Sequence, residues 1–290
     1  MSESAQSLHH WQAVREFFIA IDSDGCVFDT MPLRHQECFV PMFIKHFGLQ
    51  PVSRCAREVW EFVNLHSRSR DIHRFPALSN ALNLLGERPE MAERGVAPLS
   101  TDALDAWIAG EPRLGNPTLE KAILDGATEL TTVLVWSRAV DEIVTPVPPF
   151  PLAAESIRRC CEWADVLGIS QSPAATLEQD WNTAQLTGVA RGFAGSESGT
   201  KTDQLRLAAG NKYRPRHVLV VGDAPVDFKA AKANHALFFP IVPGREAASW
   251  QQFYDEGIDR FVNDQFAGEY EAALIQEFNE ALPERAPWLA

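Results

Sequence analysis

The sequence predicts an α/β fold, in which a parallel sheet core is flanked by helices and interrupted by an inserted all-helical domain. Short, continuously apolar runs are typical of strands that are covered on both faces. Four such runs occur, at FFIAID (17–22), DVLGIS (165–170), HVLVVGD (217–223) and ALFFPIV (236–242). Helix-like segments separate the later runs, and this alternation indicates βαβ units with a parallel sheet.

The other core elements follow in chain order. A weaker fifth strand is expected at VARGFAG (189–195). Crossover helices are expected at residues 151–164, 174–186, 200–210 and 227–235. The region from residue 250 onward indicates surface helices, SWQQFYDEGIDRF and YEAALIQEFNEAL, with no evident chemistry of their own.

The interval between the first and second strands predicts the inserted domain. It runs from residue 22 to residue 165, whereas a crossover between parallel strands needs only about a dozen residues or somewhat more. We expect a core of residues 1–31 and 148–290 and an inserted helical domain of residues 32–147, with proline-rich TPVPPFP (145–151) as the return hinge. Its helix-like segments are RHQECFVPMFIKHF, REVWEFVNLH, RFPALSNALNLLG, TDALDAWIAG and one long helix, TLEKAILDGATELTTVLVWSRAVDEI.

Composition excludes several classes of protein. The 290 residues are 46% hydrophobic and 22% charged, with a net charge of −13, which suits a globular protein and disfavours nucleic acid or an anionic membrane as a partner. No apolar run approaches the roughly 20 residues that span a bilayer. The polar start, MSESAQSLHHW, lacks a secretory apolar region, and the five cysteines show no CxxC spacing. We therefore expect reduced thiols and a cytoplasmic protein.

Polar residues converge at the carboxyl ends of the predicted strands. Asp22, Ser170 and Asp223 each lie at such an end, and in open α/β sheets ligands bind in the crevice beyond these ends. Asp24 follows Asp22 two residues later, and Gly25 lets the chain turn tightly past the site. Because neighbouring carboxylates repel each other, a divalent cation such as Mg²⁺, which prefers oxygen ligands, would stabilise them.

A lysine and a serine complete the predicted site. Lys201 and Ser170 would hold the anionic part of a substrate, while Asp22 and Asp223 would each supply a carboxylate oxygen to the cation. Acidic residues, a metal, a lysine and a hydroxyl are what phosphoryl transfer requires, since that chemistry depends on positioning the phosphate and spreading its charge.

The sequence resembles the haloacid dehalogenase (HAD)-like hydrolase superfamily in four motifs. They are IDSDGCVFDT (21–30), Ser170 at the end of the second predicted strand, Lys201 in GTKTDQL, and GDAPVD (222–227). The resemblance covers roughly residues 15–31 and 148–245. It implies a Rossmann-like core and identifies the helical insertion as a cap that closes over the site and excludes water.

The resemblance also implies a role for each motif residue. Asp22 would be the nucleophile that forms an aspartyl-phosphate. Asp24 would be the general acid and then the base, and its backbone carbonyl would bind Mg²⁺.

The other three motifs would bind the phosphoryl group and the metal. Ser170 and Lys201 would hold the phosphoryl group. Asp223 would bind Mg²⁺, and Asp227 would act at or just behind the metal ligands.

Asp24 separates branches of the superfamily. The dehalogenase and phosphonate-cleaving branches lack an aspartate at that position, so its presence resembles a phosphatase or a phosphomutase. The expected function is a Mg²⁺-dependent phosphatase that acts on a small phosphorylated metabolite. The alternatives are a phosphomutase with the same site, a receiver-type signalling domain, which lacks such an insertion, and a catalytically silent relative that binds a phosphometabolite.

The segment NLHSRSRDIHRFPAL (64–78) is locally basic in an acidic protein. On a helix its residues His66, Arg70, His73 and Arg74 would share a face, and arginines suit phosphate or carboxylate groups. Substrate-binding candidates are therefore Arg68, Arg70 and Arg74, together with Gly25 and Ser172 near the motifs. The alternative for the arginines is a solvated basic face.

Each motif residue also has a plainer interpretation. Asp22 and Asp24 could cap a strand or form a turn, and Ser170 could end a strand without any task. Lys201 could be a solvated lysine in a helix whose start, Thr200 and Asp203, resembles a capping box.

Other polar residues near the motifs also have plainer interpretations. Asp227 could simply be the first-turn acid of its helix. Asp29, Thr30, Arg34 and His35 could touch the substrate or only form the hinge. Ser137 in TTVLVWS resembles the second motif, but the helical pattern continues past it.

Overall fold

The computed structural model describes residues 8–186 and 188–289, and these form two compact units. The sheet unit comprises the described residues up to Thr30 together with Pro146–Pro283, and the helical unit comprises Met31–Thr145 together with the described residues from Glu284. Residues 1–7 and 290, which the sequence assigns to the core, lie outside the described residues, as does residue 187.

The sheet unit contains the predicted parallel sheet. Its strands are β1 (Phe17–Asp22), β2 (Ala164–Ile169), β3 (Gly192–Ala194), β4 (Val218–Gly222) and β5 (Leu237–Pro240), in the order β3-β2-β1-β4-β5 among the described residues. Ile19 of β1 pairs with Val166 of β2 and Leu219 of β4, both in parallel. Every predicted strand is confirmed, including the weak one, with ends that differ by at most three residues.

The inserted region is helical, as predicted. Its helices are α1 (Thr30–Leu33), α2 (Val40–His46), α3 (Ser53–Leu65), α4 (Arg74–Gly86), α5 (Pro89–Glu93), α6 (Asp102–Gly110), α7 (Asn116–Leu124) and α8 (Thr131–Asp141). Arg34–Phe39 forms a π-helical segment, and Gln50–Val52 and Thr128–Leu130 form 3₁₀ turns. The core of the helical unit is strongly aromatic, with the Trp60 and Trp136 rings packed edge to face at 5.6 Å.

The prediction of one long helix from residue 118 to residue 143 is wrong. The chain breaks between α7 and α8, where Gly126 has φ = 117°. Glycine adopts this conformation without steric cost, but it cannot continue a right-handed helix. Ser137 is buried within α8, which confirms the prediction that a helix, not a strand, continues past it.

The remaining helices belong to the sheet unit. They are α9 (Ala153–Cys160), α10 (Ala174–Thr183), α11 (Lys201–Ala208), α12 (Pro225–Ala233), α13 (Glu246–Gln252), α14 (Ile258–Val262) and α15 (Glu269–Ala281). The four predicted crossover helices are confirmed, although each differs from its predicted bounds by up to four residues.

Two apolar clusters cover the sheet. Alternate residues of β1 divide between them, with Ile19 and Ile21 in one cluster and Phe18 and Ala20 in the other, as expected for a strand buried on both faces. No helix in the described part of the chain is long and apolar enough to cross a membrane.

Candidate active site

The carboxyl end of β1 places Asp22 opposite Lys201. Asp22 is the last residue of β1, and Lys201 is the first residue of α11. The Lys201 Nζ atom lies 2.8 Å from Asp22 Oδ1, and both side chains are only 2% exposed. Burying two charges is costly unless they pair closely, so this contact fixes both groups at the end of the sheet.

Asp227 also contacts the lysine. Its Oδ1 atom lies 2.8 Å from Lys201 Nζ, and its Oδ2 atom accepts a hydrogen bond of 3.1 Å from the Ala224 amide. The carboxylate lies so close to the end of β4 that a Cβ atom on Gly222 would come within 2.4 Å of Asp227 Cγ. A glycine at the end of β4 therefore makes room for a buried carboxylate in the first turn of α12.

Asp223 completes an acidic cluster, defined as Asp22, Asp223 and Asp227. One carboxylate oxygen from each lies within 4.8 Å of the other two, and all three residues are buried. Carboxylate oxygens are the donors that Mg²⁺ prefers. The donor set therefore fits a divalent cation, because three carboxylates within this distance exceed the charge of the lysine beside them.

The loop after β1 is held in shape by its own backbone and by Thr30. Gly25 has φ = 79°, and its amide donates to Thr30 Oγ1 at 2.9 Å and to the Phe28 carbonyl at 3.0 Å. In the residue order Asp-Ser-Asp-Gly, this turn follows Asp24 directly. It gives Thr30 a structural contact, which is the hinge-type alternative left open by the sequence.

Asp24 differs from Asp22 in its surroundings. It is partly exposed, while Asp22 is buried. Ser172 Oγ lies at 3.5 Å from Asp24 Oδ2 and can donate to it. Asp24 therefore reaches solvent from the same turn in which Asp22 is enclosed.

Ser170 lies directly beyond β2. Its amide donates to the Ala194 carbonyl of β3 at 3.0 Å, and its Oγ atom accepts from the Ser172 amide at 2.9 Å. The strand itself ends one residue earlier, at Ile169. The side chain is 2% exposed, so the hydroxyl is held in a fixed place at the strand end.

Cys26 lies among these charges without serving as a thiolate. Burial raises the pKa of its thiol well above the ordinary value, and the negative charges of Asp22, Asp223 and Asp227 raise it further. The thiol therefore stays protonated at neutral pH.

The structure brings Asp22, Lys201, Asp223 and Asp227 together in the sheet unit. The predicted arginines belong to the helical unit, where residues 66–73 form turns between α3 and α4. The face that these residues would share on a continuous helix therefore does not form. Asp71 has φ = 62°, a left-handed conformation that a continuous α-helix does not contain.

The three arginines have different environments. Arg70 is 1% exposed and its Nη1 atom donates to the Leu65 carbonyl at 3.1 Å. Arg74 pairs with Asp141 at 2.6 Å and lies over the Phe39 ring. Arg68 is exposed.

The sequence analysis did not identify two buried residues that hydrogen-bond to the loops of the site. Trp181 Nε1 donates to Ser23 Oγ at 3.2 Å, between the two motif aspartates. Gln204, one turn beyond Lys201 on α11, donates to loop carbonyls that include that of Ser170. The i, i+3 spacing from Lys201 was the available signal for Gln204, whereas nothing local indicated Trp181.

No family model matches the chain, and no curated protein is found to match it. Several solved structures do. A phosphonoacetaldehyde hydrolase like protein from Oleispira antarctica shares 12% identity over 93% of this chain and 87% of that chain, with a TM-score of 0.49. A protein assigned as a phosphoglycolate phosphatase from Lactobacillus delbrueckii subsp. bulgaricus shares 14% identity over 88% of this chain and 100% of that chain, with a TM-score of 0.48.

A haloacid dehalogenase-like family hydrolase from Xanthomonas campestris shares 9% identity over 88% of this chain and 97% of that chain, with a TM-score of 0.43. This last protein carries the superfamily name that the four sequence motifs indicate. Since identities are this low and every TM-score is below 0.5, these likenesses assign no activity to the present chain.

Proposed function

We propose that the chain is a Mg²⁺-dependent HAD-like phosphatase that hydrolyses a small phosphorylated metabolite through a covalent aspartyl-phosphate. The observation that carries the proposal is the buried contact of Lys201 with Asp22 and Asp227, beside Asp223, at the carboxyl ends of β1 and β4. The four sequence motifs support the same reaction.

In the first step, an Asp22 carboxylate oxygen attacks the phosphorus atom of the monoester. The bond from phosphorus to the leaving oxygen breaks, and Asp24 gives that oxygen a proton, so the alcohol leaves neutral. Lys201 and the Ser170 hydroxyl donate hydrogen bonds to the phosphoryl oxygens as charge develops on them.

In the second step, Asp24, now a carboxylate, takes a proton from a water molecule. The water oxygen bonds to phosphorus, and the bond between phosphorus and Asp22 breaks. Inorganic phosphate leaves, and both carboxyl groups return to their starting states. The partial exposure of Asp24 supports this role, because the water must reach it.

The acidic cluster together with the Asp24 carbonyl would hold the cation. A bound Mg²⁺ supplies positive charge to the phosphoryl oxygens and offsets the repulsion between Asp22 and the incoming anion.

Substrate contacts are proposed for residues outside the phosphoryl chemistry. Gly25 lets the backbone approach the substrate closely, and Ser172 offers a hydroxyl beside Asp24. Arg68, Arg70 and Arg74 are proposed to bind an anionic part of the substrate. Of these, Arg68 has the exposed side chain.

The test is phosphate release from a panel of phosphorylated metabolites and a generic aryl phosphate. Wild type is assayed with Mg²⁺ and with chelator, beside Asp22→Asn. Asp165→Asn is the matched control, because Asp165 is also buried in the sheet but lies near the start of β2. We expect turnover in wild type and Asp165→Asn with Mg²⁺, and none in Asp22→Asn or with chelator.

Mass spectrometry of the acid-quenched enzyme supplies a second readout. A phosphoryl group on Asp22 during turnover is the expected result. Phosphorylation without phosphate release would replace the phosphatase with a phosphomutase. Turnover that survives in Asp22→Asn would contradict the covalent mechanism, and absence of both signals in wild type would contradict the enzyme.

A further inference from the structure

Gln204 joins three loops beside the candidate active site. Its side chain is fully buried. The Nε2 atom lies 2.9 Å from the Ser170 carbonyl, 2.9 Å from the Gly195 carbonyl and 3.1 Å from the Gly199 carbonyl. These carbonyls belong to the loop after β2, the loop after β3 and the turn before α11.

The orientation of the amide is fixed by its partners. An amide NH₂ group donates two hydrogen bonds, and an amide oxygen donates none. If the amide were rotated by half a turn, its oxygen would face three carbonyl oxygens, and the buried repulsion would be costly. Only the orientation with Nε2 toward the carbonyls is favourable.

The two strand-end loops already lie in close contact. The Ser196 amide donates to the Ser172 carbonyl at 3.0 Å. A Cβ atom on Gly195 would come within 2.1 Å of the Ala174 amide nitrogen. Small changes in one loop must therefore move the other, and Gln204 is the side chain that ties both to α11.

Gln204 and Lys201 share one face of α11, because residues three apart on a helix are neighbours. Gln204 thus fixes the distance between the Ser170 loop and the start of α11, where Lys201 contacts Asp22. In the proposed reaction, Ser170 and Lys201 must hold the same phosphoryl group, so the distance between them determines how well it is held.

We propose that Gln204 is a positioning residue that sets Ser170 against Lys201 for phosphoryl binding. This inference rests on the proposed function. Gln204 touches neither the substrate nor the cation, and it acts only through the three carbonyls.

The test compares Gln204→Met and Gln204→Glu with wild type. Methionine has nearly the same volume but no donor, and glutamate keeps the shape while losing the amide NH₂. Gln252→Met is the matched control, because Gln252 also lies in the sheet unit and its amide donates to Glu256 instead, at 3.0 Å. The substrate is an aryl phosphate, and inorganic phosphate is the competing ligand.

We expect kcat to fall by about ten- to a hundredfold in both Gln204 variants, the loss typical of slightly misplaced reacting groups. We also expect inhibition by inorganic phosphate to weaken several-fold. The inhibition constant is the deciding readout, because a variant that merely folds less completely has fewer active molecules but binds phosphate unchanged.

Each outcome bears on a separate claim. If wild type is active and both Gln204 variants keep the wild-type inhibition constant, whatever their kcat, the positioning role is wrong while the proposed function stands. The same holds if Gln252→Met weakens phosphate inhibition equally. If wild type neither turns over the aryl phosphate nor binds inorganic phosphate, both proposals fail. If one Gln204 variant does not fold, the other decides.

Discussion

Each unit of the molecule contains a buried cation, and the two cations contact different groups. In the sheet unit, Lys201 lies between the carboxylates of Asp22 and Asp227 at 2.8 Å from each. In the helical unit, the buried Arg70 guanidinium donates to the Leu65 carbonyl at 3.1 Å. The two cations thus differ in these contacts, because Lys201 contacts two carboxylates and Arg70 donates to a backbone carbonyl.

His35 in the helical unit contacts uncharged aromatic side chains. Its ring stacks on Phe39 at 4.8 Å, and its Nδ1 atom accepts from Trp60 Nε1 at 3.1 Å. Burial lowers the pKa of His35 to about 3, with Arg70, Arg74 and Arg34 contributing. The strand-end arrangement thus gathers three carboxylates beside one lysine, an excess of like charge that suits a site for a cation.

The largest expected effect comes from removing the central cation of the sheet unit. Lys201→Met leaves Asp22 and Asp227 buried without their lysine, and breaking a buried pair in this way costs about 3–5 kcal/mol. Turnover should fall by about a thousandfold, since a preorganised donor to the phosphoryl group is lost. Added Mg²⁺ should restore part of the free energy of unfolding, measured by urea denaturation with Mg²⁺ and with chelator.

The matched change in the helical unit is Arg70→Met. It removes the hydrogen bond to the Leu65 carbonyl, so we expect a loss of about 1–3 kcal/mol. Mg²⁺ should stabilise this variant no more than it stabilises wild type. Equal Mg²⁺ responses in the two variants would remove the distinction between the two kinds of charge burial.

A methyl group added at the end of β4 should have the next largest effect. Gly222→Ala drives a Cβ atom to within 2.4 Å of Asp227 Cγ, and overpacking of this kind costs about 1–3 kcal/mol. Because Asp227 must move, turnover should fall as well. Thermal unfolding and the aryl phosphate assay measure the two losses.

Gly86→Ala, in the helical unit, is the control. Its Cβ atom would meet Pro98 Cβ at 3.5 Å, an ordinary contact, and Gly86 ends helix α4. Alanine there should be neutral or stabilise by up to about 1 kcal/mol. A Gly222→Ala variant as stable and active as Gly86→Ala would show that Asp227 is not held against the strand.

Mild acid should weaken the helical unit more than the sheet unit. Folded His35, with its pKa of about 3, stays neutral where the unfolded histidine, near 6.5, takes up a proton. Stability is therefore fully present above pH 6.5 and is lost as the pH falls toward the folded pKa. Between pH 7 and pH 5 the loss from this partly buried ring should be about 1–2 kcal/mol.

The sheet unit offers the contrast at Asp165. Burial by itself would raise the pKa of the Asp165 carboxyl. Hydrogen bonds from the Arg15 and Val14 amides and from Tyr213 and Arg191 outweigh that effect, so the pKa lies below its ordinary value. Its contribution to stability is lost only as the pH falls through that lower value, outside the window in which His35 acts.

Hydrogen exchange of peptides from each unit at pH 7 and pH 5 measures the acid effect. In His35→Gln the amide oxygen can still accept from Trp60, so the helical unit should lose most of this pH dependence. A smaller dependence should remain from His73, whose pKa burial lowers to about 4. Equal acid effects on both units in wild type would refute the assignment to His35.

The smallest effects concern two helix starts. Thr200 caps α11 in a capping box with Asp203, with hydrogen bonds of 3.2 Å in both directions, and Thr200→Ala should cost about 1 kcal/mol. His73 caps α4 with a longer contact of 3.4 Å from Phe75 N to Nδ1, so His73→Ala should cost less. Thermal unfolding of both variants, with Thr200→Ser as the conservative control, measures the two losses of stability. A larger loss in His73→Ala than in Thr200→Ala would contradict this prediction.

The sheet was predictable because its signals are local. A strand buried on both faces must be apolar throughout, and Phe17–Asp22 is apolar until its last residue. Lys201 could be located because the capping box fixes where α11 begins. The break at Gly126 was not predicted, because a single left-handed glycine can interrupt a helix while the apolar pattern continues on both sides of it.

The contacts that shape the site were not predictable in the same way. Trp181 and Ser23 lie 158 positions apart in the chain, and Gln204 and Ser170 lie 34 apart. Such hydrogen bonds depend on where several loops meet after folding, and no spacing in the sequence encodes them. Sequence patterns therefore located the motif residues at the strand ends. The hydrogen bonds that hold the neighbouring loops in place are visible only in the structure.

The end of the chain has a consequence for exchanging modules between proteins. Ala286 is buried in the core of the helical unit, where Trp288 packs edge to face on Phe62 at 5.5 Å and lies under the Arg88 guanidinium. The backbone thus passes from one unit to the other at residues 30–31, 145–146 and 283–284. A chimaera that transplants Met31–Thr145 alone would leave the aromatic partner of Phe62 behind, so a complete graft must carry two separate pieces of sequence.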